Sequence, residues 1–113
     1  MKTLTANIHS LVEQEYERAA QRFGEKHNSP HEAYAVIREE FDEVADEANI
    51  LSDALDVFWH EVKNNDHDMQ KEALNIIQMR AILGACELIQ VAAMAYKAQM
   101  GYKAEEKDES VLV

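Results

Sequence analysis

Helix-stopping residues are nearly absent from this chain. Three Gly and one Pro are spread over 113 residues. Runs of alternating β-branched residues are few, so strands have little to start from. The chain is therefore expected to be all-α, with its turns confined to a few places. Gly24 ends a first helix from about Leu4 to Phe23. The polar loop Glu25-Lys26-His27-Asn28 leads to a second helix, from Pro30 to about Lys63. Asn64-Asn65-Asp66 breaks it. A third helix runs from about Asp68 to Met100 and stops at Gly101. The charged stretch after it reads as a flexible tail. The expected organisation is residues 1–28 as N-terminal helix and loop, 29–101 as helical core and 102–113 as tail.

The second helix opens with a clear start signal. Ser29 caps it, Pro30 suits its first turn and Glu32 completes a capping box. An apolar stripe then passes through Ala33, Ile37, Val44, Leu51, Ala54 and Phe58, and Glu40 and Glu47 fall on the same stripe. Glu43 lies one turn from both. Carboxylates on a packed seam are costly unless a positive or polar group meets them.

The formal net charge is −11, which argues against nucleic acid as a partner. It fits a protein that collects cations, and equally a soluble helical surface. The single Cys86 cannot form an intrachain disulfide, which suits a reducing compartment. Its apolar surroundings suggest a buried, inert thiol. The start, Met1-Lys2-Thr3-Leu4, does not read as a signal peptide. The most apolar segment, Ala81 to Tyr96, is interrupted by Glu87 and Gln90, so no membrane span is expected. These readings place the chain in the cytoplasm.

Each long helix would extend about 50 Å at about 1.5 Å per residue. The third is apolar on more faces than one partner hairpin covers. The fold expected is a long-helix hairpin that completes a four-helix-bundle core through dimerisation, as a homodimer or homotetramer. The rival is a bend near Asn49 that folds the second helix back on itself.

The polar residues inside the third helix line up. Arg80, Glu87, Gln90 and Lys97 fall on one stripe. If this seam faces that of the second helix, Glu40, Glu43, Glu87 and Gln90 converge. Such carboxylates repel unless neutralised, and Mg²⁺ prefers a few carboxylates with waters and phosphates. Two plainer readings stand beside this one. Glu39, Asp42, Asp46 and Glu47 can form a solvated acidic face, and Glu87 can pair with Arg80.

Glu39-Glu40-Phe41-Asp42-Glu43 is an E-E-x-x-E pattern, and Glu87-Leu88-Ile89-Gln90 stands where E-x-x-D would follow. With His31-Glu32-Ala33-Tyr34-Ala35-Val36-Ile37 and Cys86 to Ala95, this resembles the MazG-like all-α nucleoside triphosphate pyrophosphohydrolases, in particular small phage and prophage members. The resemblance covers about Pro30 to Lys97. It implies cleavage of a (d)NTP to a (d)NMP and pyrophosphate. It implies Mg²⁺, or Mn²⁺, on Glu40, Glu43 and Glu87, with Gln90 as a fourth ligand. Glu39 would orient ligands or water, and Arg80 and Lys97 would meet phosphates. The chain departs from the pattern in two ways. Gln90 replaces Asp, and the spacer is lengthened around Asn49 to Asp56. Two alternatives share the fold: a nucleotide- or metal-binding module with little hydrolysis, and a helical regulator that acts through its acidic face. His31 reads as a surface residue. Tyr34, Phe58 and Trp59 read as packing residues.

Overall fold

The computed structural model describes the backbone of residues 2–112 and the side chains of residues 3–106. Three α-helices follow one another: α1 (Lys2–Phe23), α2 (Pro30–Lys63) and α3 (His67–Leu112). No strand occurs among the described residues.

The helix ends follow local chemistry. Gly24 takes φ +95° and its N–H donates to the Ala20 carbonyl at 2.9 Å, a left-handed stop that glycine adopts without steric cost. At the start of α2 the Glu32 N–H donates to Ser29 Oγ at 3.1 Å. The reciprocal half of the capping box is displaced by one residue. The Glu32 carboxylate accepts from the Asn28 N–H at 3.3 Å and from Asn28 Nδ2 at 2.9 Å.

Between α2 and α3, Asn65 takes φ 56°. The Asp66 N–H donates to the Glu61 carbonyl and the Asn65 N–H to the Val62 carbonyl, at 3.1 and 3.2 Å. This pair of bonds is a Schellman closure, with Asn in the position usually held by Gly. Asp66 then caps α3, its Oδ1 accepting from the Met69 N–H at 3.1 Å.

The second helix runs as expected, and the third runs further. α2 is one uninterrupted helix through Asn49, so the folded-back rival is not adopted. α3 does not stop at Gly101 but continues to Leu112. An interior glycine costs a helix only about 1 kcal/mol relative to Ala. Lys103-Ala104-Glu105-Glu106-Lys107, which follows, consists of strong helix formers.

The chain contains two compact units. The first gathers residues up to Glu40 and from Ile89 on; the second is Phe41–Leu88. In the first, Ala19, Ala93 and Met94 form the core, with Val12, Tyr16, Val36 and Ile37 packed against it. Tyr16 and Tyr96 meet edge to face, 4.8 Å between centroids. The Tyr16 hydroxyl donates to the Glu25 carbonyl at 2.8 Å. Burial, with Glu25 and Tyr96 nearby, pushes that hydroxyl above its usual pKa of 10.0.

The second unit is a helical hairpin whose buried apolar residues are Ala54 and Ala73. Ile82, Leu88, Leu55 and Trp59 are more than half exposed. The Lys63 ammonium lies 5.5 Å from the Trp59 ring centroid, which makes Trp59 a surface cation–π partner rather than core. Tyr34, in the first unit, is likewise exposed, while Phe58 is half-buried. Cys86, expected to be buried, is exposed. Its apolar neighbours cover α3 on several sides, and one hairpin partner shields only one of them. By length and composition α3 is apolar enough to cross a membrane, with an 18-residue window of mean hydropathy 1.4.

Ala93 is wholly buried, with 0% exposure. Ala93→Leu should overpack this contact and lower stability by about 1–3 kcal/mol. Chemical denaturation would check this as a lower midpoint.

Candidate metal centre

The stripe foreseen on α2 is its inner face. Ala33 and Ala54 are buried, and Ile37, Glu40, Val44, Glu47, Leu51 and Phe58 are half-buried. The foreseen seam on α3 is likewise turned inward: Arg80, Glu87 and Gln90 are half-buried and Lys97 is buried.

Helical spacing stacks Glu40 and Glu43 on adjacent turns of α2. One carboxylate oxygen from each of Glu40, Glu43 and Glu87 lies within 4.8 Å of the others. Glu40 and Glu87 are half-buried and Glu43 is exposed. The cluster therefore has a wet side. Oxygen donors at this spacing suit a hard divalent cation that keeps some of its waters. Glu39 is exposed and lies outside the cluster.

The structure pairs the other seam residues differently from the expectation. Arg80 meets α2 at Glu47. Its Nη1 donates to both oxygens of Glu47, at 3.3 and 3.4 Å. The pairing has a spatial reason: Gly84, one turn along α3 from Arg80, lies beside Glu47, with room for a methyl group at 3.9 Å from its Cβ. Arg80 Nε is buried without a hydrogen-bond partner, so part of the guanidinium's donor capacity is unused.

Gln90 commits its amide nitrogen to Glu15, donating Nε2–H to Oε1. Only its amide oxygen is then left to meet a cation. Glu15 also accepts from Arg18. The Arg18 hydrogen bond, with help from Gln90 and against the cost of burial, holds the Glu15 carboxyl below its ordinary 4.5. Lys97 is only 5% exposed. A buried ammonium is costly without a partner of opposite charge.

Glu15 was not foreseen as part of the polar seam. Its signal was present: Val12, Glu15 and Ala19 share one face of α1 at helical spacing, and Arg18 stands one turn away. His27 was also missed. It is buried although it lies in the loop before α2, and no periodicity marks a loop residue.

No family model matches the chain, and comparison with curated proteins and with solved structures yields no match.

The lowered Glu15 pKa has a consequence for acid stability. Its stabilisation is complete above the unfolded value near 4.5. It is lost as pH falls through that value and the lower folded one. Glu15→Gln should melt below the unsubstituted protein at pH 7, and the gap should close as pH falls below about 4. Thermal melts across that range would show it.

Proposed function

We propose that this chain is a Mg²⁺-dependent, MazG-like nucleotide pyrophosphohydrolase that cleaves a (d)NTP to a (d)NMP and pyrophosphate. The observation that carries the reading is the cluster of Glu40, Glu43 and Glu87 oxygens within 4.8 Å. It joins the two motifs that resemble that family. The donor set fits Mg²⁺ or Mn²⁺. When bound, such an ion neutralises phosphate charge and lowers the pKa of an attacking water.

The chain's own residues have distinct parts in this reading. Glu40, Glu43 and Glu87 hold the cation, and Gln90 contributes at most a neutral amide oxygen. Glu39, beside Glu40, orients ligands or water. Arg80 brings donors not used on Glu47, and Lys97 brings an ammonium; both meet phosphate oxygens. Release of pyrophosphate from a panel of NTPs and dNTPs with Mg²⁺ tests this. Glu43→Gln should lower turnover at least about 100-fold while the helical circular dichroism is kept. If no nucleotide yields pyrophosphate, even with Gln90→Asp, the enzyme reading fails. Calorimetry with Mg²⁺ and a non-hydrolysable nucleotide then separates a binding module from a helical regulator.

We further propose a homodimer, or a dimer of dimers, with a four-helix core. Leu55, Met79, Ile82 and Leu88 are large apolar side chains left about half exposed on the hairpin, and a second copy is what covers them in this reading. A second copy would cover the apolar side of α3 in water, so the proposed place is the cytoplasm rather than a membrane. Sedimentation equilibrium should give at least twice the 12.9 kDa chain mass. A Leu55→Asp, Ile82→Asp double variant should shift it toward a monomer.

A further inference from the structure

Gln90 follows Glu87 by three residues on α3, one turn along on the same face. A side-chain amide in such a place has two unlike ends. Its oxygen can join the shell of a cation, and its NH₂ group repels one. The two ends are alike in size and shape, so helical spacing alone does not decide which of them faces the carboxylates.

The group that decides comes from α1. Gln90 Nε2 donates to Glu15 Oε1. An ionised carboxylate only accepts, so the amide nitrogen must face Glu15 and the amide oxygen must face away from it. Glu15 is itself held in place. Arg18 Nε donates to its Oε2 at 3.2 Å, and Arg18 Nη2 donates to its Oε1. The Glu15 side chain is 19% exposed and that of Arg18 is 58% exposed. The guanidinium therefore braces the carboxylate from the wet side, and the half-buried amide meets it from the packed side. All three residues belong to the first compact unit.

We infer that Glu15 is a positioning residue: by holding the Gln90 nitrogen, it turns the Gln90 oxygen toward the cation place formed by Glu40, Glu43 and Glu87. This rests on the metal reading proposed above and extends it by giving α1 a part in the site. It also supplies a reason for the departure from E-x-x-D. An Asp at position 90 would set a second carboxylate against Glu15, and adjacent like charges oppose each other. Glu15 and Gln90 are a matched pair, with the charge on α1 and the neutral ligand on α3. Partners that orient a ligand from behind are a regular part of metal sites.

The test is calorimetric titration of the full chain with Mg²⁺ alone. The unsubstituted chain should bind one Mg²⁺, and Glu43→Gln should abolish binding. Glu15→Gln should weaken binding at least about fivefold, because an amide at position 15 both donates and accepts and no longer dictates which end of Gln90 it meets. Removing a negative charge also weakens cation binding through its field. The same substitution is therefore repeated in a Gln90→Met chain, which has no amide to turn. There it should change the affinity less than about twofold. A second readout needs no metal. In EDTA at pH 7, Gln90→Asp should lower the melting temperature, and adding Glu15→Gln should raise it again, although Glu15→Gln alone lowers it. If the unsubstituted chain binds no Mg²⁺, the metal reading falls and this inference falls with it. If Mg²⁺ binds and Glu15→Gln weakens it equally in both chains, the metal site stands and the positioning role is overturned. Further destabilisation of the Gln90→Asp chain by Glu15→Gln would overturn the matched pair in the same way.

Discussion

Charge on a packed helix face must be answered, and most of this structure's polar contacts are such answers. The inner stripe of α2 carries Glu40 and Glu47, and that of α3 carries Arg80, Glu87, Gln90 and Lys97. An apolar helix could have filled these positions at lower desolvation cost. Here both carboxylate oxygens of Glu47 accept from Arg80, and Gln90 turns to Glu15 on α1. The Arg80–Glu47 pair is part-buried. It therefore gains more from Coulomb attraction than a surface pair would, against a larger desolvation cost. Glu40, Glu43 and Glu87 converge instead of dispersing, and that convergence makes the seam a place for chemistry as well as packing.

Small side chains make the seams reachable. The buried apolar residues are Ala19, Ala33, Ala54, Ala73, Ala93 and Met94. Alanine costs little conformational entropy on burial, but it also buries little area. The same choice leaves large apolar side chains outside the core. No large side chain is fully buried among the described residues. An unusually polar inner seam and an unusually apolar outer surface thus have one origin.

Much of the fold was legible because helical grammar is local. Gly24, Ser29-Pro30 and Asn64-Asn65-Asp66 mark the boundaries by backbone preference, and the structure turns at each. Gly101 misled because a lone glycine is weighed against its neighbours, and those beyond it favour helix. The inward stripes were legible through periodicity, down to the placement of Glu40 and Glu87. Pairing was not. Whether Arg80 meets Glu47 or Glu87 depends on the side-by-side alignment of two helices, and spacing along one helix is silent on that. Cys86 shows the same gap: an apolar neighbourhood in sequence predicts burial only if another surface arrives to cover it.

The turn at Asn65 sets that alignment. Glu43 stands 22 residues before Asn65, and Glu87 stands 22 after it. The hairpin is thus a pair of equal arms, and its pivot is locked by the Asp66 and Asn65 backbone bonds and by the Gln70 side chain on the Glu61 carbonyl. One residue added to either arm would rotate its far end by about 100° and raise it by about 1.5 Å. The acidic cluster is therefore gauged by a three-residue joint far along the chain. Arm length is a constraint that a local motif does not record, and length changes between Glu43 and Glu87 keep the cluster only when both arms change together and by whole turns.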